Sequence, residues 1–198
     1  MDKELNPRIE EAKEGKRTLY FADAAHFVCG ALLGYVWSIA RIFIPTMSGR
    51  QRYNVLGAIN AITHDLCCVI NETYINSLSV CDLLTQIANY RKDDTPITIV
   101  MDNAKYQRCD HVIQFANSLN IELLFLPSYS PNLNLIERYW KWLRKDCLSS
   151  VYYETFDKFK EAIVLSLLKT INHSNKTELQ SLLNLKFQLY DNALYDRA

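Results

Sequence analysis

The chain has 198 residues, 49% of them hydrophobic, with 22 basic and 22 acidic side chains and a formal net charge of zero. That size and apolar content suit one domain, 1–198, with a substantial core, and no repetitive, linker-like or low-complexity segment divides it. The charged amino terminus, Met1-Asp-Lys-Glu-Leu-Asn-Pro, is unlike a signal segment, and the apolar stretch around Ala31 to Ala40 is too short and interrupted to span a bilayer. A cytoplasmic protein without membrane contact is expected.

Residues 1–17 read as an amino-terminal extension. Thr18 to Phe27 reads as a strand in which Leu19, Tyr20, Phe21 and Ala22 lead up to Asp23, so a strand ending in a carboxylate is predicted. Strands over Ala31 to Phe43, Arg52 to Ala61 and Leu66 to Ile70 would continue it as an antiparallel meander. Asn76 to Tyr90 carries Leu78, Cys81, Leu84, Ile87 and Ala88 at helical spacing. Ile97, Ile99, Val100 and Met101 then form a β-branched apolar run, introduced by Pro96 and closed by Asp102-Asn103. This is the pattern of a buried strand with a polar tip, and in helix-flanked sheets ligands gather beyond such strand ends. Two like charges from neighbouring strands repel unless a cation lies between them.

His111 to Leu119 reads as a helix and Glu122 to Leu126 as a short strand. Ser130-Pro131 is a helix-start signal, after which Leu133, Ile136, Trp140, Leu143 and Cys147 form one apolar stripe. Glu137 falls beside that stripe, so its carboxylate is expected at the core boundary. Phe156 to Leu168 and Glu178 to Leu189 close the chain as amphipathic helices, within a carboxyl-terminal region 148–198. The whole predicts an α/β fold, a mixed sheet with helices on both faces. Each acid also has a plainer use: Asp23 as a strand stop, Asp102-Asn103 as an Asx turn, and Glu137 as the partner of Lys141 one helical turn on.

The six cysteines, at 29, 67, 68, 81, 109 and 147, contain no Cys-x-x-Cys pair, and several sit in apolar runs where a reduced thiol packs as a small hydrophobe. Cys109-Asp-His111 is a weak metal-like cluster. His26 follows Asp23 by three residues and is read as flanking the site, with packing favoured over proton transfer. A neutral domain binds duplex DNA weakly unless its basic residues cluster. Arg138, Lys141, Arg144 and Lys145 share the Glu137 helix, and Arg50 with Arg52 form a second group, all candidate phosphate contacts.

The segment Leu126-Pro-Ser-Tyr-Ser-Pro-Asn-Leu-Asn-Leu-Ile-Glu-Arg-Tyr-Trp-Lys resembles the third-carboxylate motif of mariner-like DDE transposases, in particular the bacterial insertion-sequence branch. Phe21-Ala-Asp23-Ala-Ala-His26-Phe27 and Arg50-Gln-Arg-Tyr-Asn-Val-Leu-Gly57-Ala58 are similar to other blocks of that branch, and the likeness covers the motif-bearing core, 18–147. It implies a ribonuclease H-like fold in which Asp23, Asp102 and Glu137 ligate two magnesium ions, with manganese able to substitute, and Asn103 and Asn134 flank them. The activity implied is metal-dependent hydrolysis of double-stranded DNA at transposon ends and strand transfer to target DNA, by a homodimer when the ends are paired.

Three positions depart from the family pattern. Ala24 stands where an acid commonly follows the first aspartate, Gln107 where a histidine often lies five residues after the second, and Leu135 where Leu-Asn-Pro-Ile-Glu has proline. None removes an acid. Only 22 residues precede Asp23, fewer than the helix-turn-helix module of such transposases needs, so a separate or missing recognition part is expected. A regulatory remnant that pairs with full-length transposase, or a ribonuclease H-like nuclease with a host role, are the alternatives.

Overall fold

The computed structural model describes residues 2–30, 38–40, 43, 51–91, 93–127, 133–185 and 187. Three strands, β1 (Thr18–Val28), β2 (Arg52–Asn60) and β3 (Leu66–Asn71), form the antiparallel meander, and β4 (Ile97–Met101) and β5 (Ile121–Phe125) run parallel to β1. The order across the sheet is β3-β2-β1-β4-β5. The parallel strands need crossovers, supplied by α2 (Ser77–Asn89) and α3 (Asp110–Ser118). The remaining helices are α1 (Asp2–Lys13), α4 (Leu135–Cys147), α5 (Phe156–Ile171) and α6 (Lys176–Leu182).

Strand alternation sorts the core into two layers. Phe21, Ala25, Phe27, Val55, Ile59 and Val100 face α1 and α4 to α6, packing on Ile136, Tyr139, Trp140 and Leu143. Tyr20, Ala22, Leu56, Ala58, Ile97, Ile99 and Met101 face α2 and α3, on Val80, Leu83, Leu84, Ile87, Val112 and Ala116. β4 is buried at all five positions, as the unbroken apolar run requires of a strand covered on both faces.

Several boundaries move. β1 runs past Asp23 to Val28 because β2 keeps pairing with it as far as Val28 opposite Arg52, so Asp23 lies within a strand rather than at its tip. The strand expected over Ala31 to Phe43 falls largely outside the described residues, and Ser38, Ile39 and Ala40 lie exposed and outside any strand. The Ser130-Pro131 start also falls outside them; the described helix begins at Leu135 on Asn134, which puts Leu135 at the first helical position, where proline is common but dispensable. α6 ends at Leu182, short of Leu189. The supposed extension is a helix that belongs to the core: Leu5, Ile9 and Ala12 recur at four and three residues and are buried, a stripe obscured by Pro7 and the surrounding charges.

α1 is held to the far end of the sheet by one carboxylate. Glu122 on β5 accepts Arg8 Nε at 2.9 Å and Arg8 Nη2 on its other oxygen, Arg17 Nη1 at 2.9 Å and the Thr98 hydroxyl at 2.6 Å. The Arg8 hydrogen bonds above all, with those from Thr98 and the charges of both arginines, hold its carboxyl down at about 2 against a partial opposing effect of burial. A group with a depressed folded pKa contributes stability above its ordinary pKa and loses it as pH falls towards the folded value. Because the side chain is 38% exposed, screening trims the effect, and Glu122→Gln is expected to cost about 1–2 kcal/mol at neutral pH. In urea melts the gap between variant and parent should close as pH drops from the ordinary carboxylate range towards about 2; a constant gap would mean the ionised carboxylate is not the source.

Candidate active site

The parallel register of β1 and β4 reaches Phe21 opposite Val100, and two residues further along each chain stand Asp23 and Asp102. β4 stops at Met101 while β1 continues against β2 alone. The two aspartates are therefore level at a step in the sheet, beyond the carboxyl end of β4. Alternation puts Asp23 on the side of Phe21, Ala25 and Phe27, and Asp102 on the side of Val100, the layer that α4 covers. The Asp102 Oδ1 also accepts the Ala104 amide at 3.3 Å, so the Asx turn is present as well and fixes the carboxylate's base.

α4 brings the third acid. Ile136, Trp140 and Leu143 are buried against the sheet, and Glu137 leaves the helix half-buried at their margin. A cavity of about 220 Å³ opens there, lined by Asp23, Ala24, Glu137, Trp140, Lys141 and Arg144. What seats α4 is a notch in β2. Gly57 pairs with Asp23 across the sheet, and a Cβ at Gly57 would lie 2.7 Å from Trp140 Cη2 and 3.2 Å from Ile136 Cδ1. The indole can reach the strand only because no side chain stands there. A lone glycine within an apolar strand is the sequence mark of such an approach.

The acids act on one another through space. Burial, chiefly, lifts the Asp23 carboxyl to about 7; the Ala24 amide and Arg144 oppose the rise, and the charges of Asp102 and Glu137 add to it. Glu137 is also raised, by burial first and by Asp102, against Lys141 and Arg144. Lys141, the partner expected one helical turn on, acts on Glu137 through its charge together with Arg144. Among the described residues no three His, Cys, Asp or Glu side chains are drawn together into a metal-ligand set.

The other candidate residues divide. Arg144 lies over the Phe27 ring, 5.3 Å from its centroid, and faces the cavity with Lys141. Lys145 is exposed further along the helix, and Arg52 is exposed at the start of β2. Arg138 turns away, donating to the Asn184 carbonyl at 2.7 Å and covering the Phe187 ring. Arg50 lies outside the described residues. Asn103 is exposed just beyond Asp102, and Asn134 is buried at the start of α4.

His26 is not beside the acids. Three residues along a strand reverses the side, which puts it on the α2 layer, where Asn54 holds it. The Asn54 Nδ2 donates to the Thr73 carbonyl at 3.1 Å, so its Oδ1 faces His26 and accepts from Nδ1 at 2.6 Å. No sequence pattern marks Tyr106, whose hydroxyl accepts from Gln107 Nε2 at 3.2 Å; its pKa is raised by burial first and then by Asp102 and Asp23. Gln107 is itself buried, in the position that the motif would give to histidine. All six cysteines are free thiols, and the Cys109 thiol donates to the Tyr106 carbonyl at 3.6 Å.

A five-stranded mixed sheet of this order, with an acid-bearing helix packed over its central strands, is the ribonuclease H-like core of transposases and integrases. The Mos1 transposase paired-end complex with left transposon end matches with a TM-score of 0.61 at 11% identity, over 93% of this chain and 61% of that one. The simian T-cell lymphotropic virus intasome in complex with PP2A regulatory subunit B56 gamma gives 0.54 at 15% identity, over 76% and 47%. The catalytic core domain of BIV integrase gives 0.51 at 13% identity, over 82% and 97%. The chain thus spans about half to three fifths of the transposase and intasome chains. No curated protein matches it. The family model for the DDE superfamily endonuclease matches residues 18–160, which include all three acids, and the chain belongs to that superfamily. No described helix is long and apolar enough to cross a membrane.

Filling the β2 notch tests how far the site depends on it. Gly57→Ala should drive the Trp140 ring off β2, costing about 1–3 kcal/mol of stability by overpacking. Trp140→Phe in the same chain should restore part of the loss in thermal melts, and no cost in Gly57→Ala alone would show that the contact is not tight.

Proposed function

We propose that this chain is a transposase catalytic domain that hydrolyses DNA phosphodiester bonds at transposon ends and joins the freed ends to target DNA. The observation that carries the reading is the register of Asp23 with Asp102, on the layer where α4 presents Glu137. The donor chemistry fits a hard divalent cation: Asp23 is pushed to about 7 by burial first and in part by the charges of Asp102 and Glu137, a repulsion that a bound cation would relieve. Asp23, Asp102 and Glu137 would hold magnesium, or manganese in its place. Held there, a pair of such ions would supply activation of an attacking oxygen and stabilisation of a leaving one in displacement at phosphorus.

The protein's own groups supply position and charge. Lys141 and Arg144, one and two turns along α4 from Glu137, face the cavity and would grip the phosphate backbone beside the acids without reading sequence. The Phe27 ring under the Arg144 guanidinium holds that side chain in place. Trp140 closes the cavity on its apolar side. The Mos1 neighbour is a paired-end complex with a transposon end; two copies of this chain on two DNA ends, with end recognition by a helix-turn-helix part, are the matching assembly. A second reading, a regulatory remnant, is favoured by the formal net charge of zero, which gives the domain little unaided grip on duplex DNA.

Nicking of supercoiled plasmid with magnesium or manganese, beside an EDTA control, separates the two. Metal-dependent nicking that disappears in Asp102→Asn supports the catalytic domain, since the swap keeps size and polarity but removes a charge. Equal nicking by parent and variant rules out the three-acid site, and no nicking by the folded chain, even with a DNA-end recognition part added, leaves the remnant. Arg144→Ala should weaken duplex binding and lower the salt slope by about one phosphate contact; an unchanged slope would take Arg144 off the DNA path.

A further inference from the structure

The start of α4 breaks a local rule that α2 obeys. In α2 the Asn76 side-chain oxygen accepts the Ser79 amide at 3.0 Å, and the Asn76 amide donates to the Ser79 hydroxyl at 3.4 Å, a closed capping box. α4 has the same kind of pattern, Asn134 at the cap and Glu137 three residues on, yet Asn134 makes no side-chain cap bond. Glu137 lines the cavity with Asp23 instead. The Asn134 Nδ2 crosses to β1 and donates at 3.2 Å to the carbonyl of Ala22, the residue before Asp23. The opposite amide orientation would set oxygen against oxygen.

This arrangement has a local cost. Asn134 is 3% exposed and its Oδ1 has no partner among the described residues. Forgoing a cap costs about 1 kcal/mol, and an orphaned buried oxygen about 1–3 kcal/mol. A helix start that gives up both, next to an acid on each side, has been shaped by position rather than by helix stability.

We propose that Asn134 is a positioning residue, tying the first turn of α4 to the Ala22 carbonyl and thereby setting the distance and rotation at which Glu137 faces Asp23. Trp140 in the Gly57 notch is the second point of attachment. Glu137 lies between the two, so the helix can neither slide nor turn; a one-residue rotation would swing its carboxylate by about 100° around the axis. The inference rests on the reading of Asp23, Asp102 and Glu137 as divalent-cation ligands.

Manganese binding to the purified chain, followed by the electron paramagnetic resonance of the free ion, tests it together with thermal melts. Asn134→Ser keeps a side chain that caps as well as asparagine but is too short to reach Ala22, and Asn134→Asp caps without a donor. Both are expected to fold, and Asn134→Ser to weaken manganese binding about tenfold or more, as for other groups that hold a metal ligand in place. A parent chain that binds no manganese, or an Asp102→Asn variant that binds it equally, overturns the ligand reading itself. Normal binding by the parent, loss in Asp102→Asn and undiminished affinity in Asn134→Ser overturn the tether alone. Unfolding of both Asn134 variants also overturns it, by assigning the residue to stability.

Discussion

The contact on which the arrangement of the candidate site depends is the indole of Trp140 pressed into β2 at Gly57. Close packing fixes a helix on a sheet only where one surface gives way to the other, and here the missing Cβ provides the hollow. Because Gly57 stands opposite Asp23 in the β1–β2 ladder, the same contact that seats α4 also sets the third acid relative to the first. Ile136 and Leu143 complete the stripe on either side of Trp140. The scaffold and the site are thus one packing problem.

The electrostatics follow from that packing. Burial raises the carboxyls of Asp23 and Glu137, Asp23 to about 7. Lys141 and Arg144 offset part of this from the same helix. At the opposite end of the sheet the balance is reversed: Glu122 is surrounded by Arg8, Arg17 and Thr98, and its negative charge is strongly favoured. One carboxylate helps staple α1 to the fold, while Asp23 and Glu137 share their cavity with Lys141 and Arg144, whose charges only partly offset the rise. A group satisfied by its own chain contributes stability, and a group left unsatisfied is available for a ligand.

Much of the architecture was legible beforehand because it rests on short-range pattern. The apolar run from Ile97 to Met101 read as a buried strand, and the helical spacing over Asn76 to Tyr90 marked the helix Ser77–Asn89. α1 escaped notice because its three apolar residues are spread among charges and a proline, and only burial against the sheet reveals the stripe. The span of β1 was read to within one residue, but Asp23 was misplaced at its end, because a strand ends where its partner stops pairing and β2 pairs with it to Val28. His26 was placed beside the site by nearness in sequence, which a two-residue strand period contradicts.

The sequence by itself determined the family, the candidate acids and the elements that carry them, since residue types, spacing and apolar periods are local properties of the chain. Only the tertiary structure decided which of these residues meet. The parallel register that levels Asp23 with Asp102, the notch that admits Trp140 and the crossing of Asn134 to Ala22 are contacts between distant segments, chosen by the packing of whole surfaces. Lys141 and Arg144 face the cavity while Arg138, on the same helix, turns to Asn184, because a helix repeats every 3.6 residues and the sheet covers only one side of it.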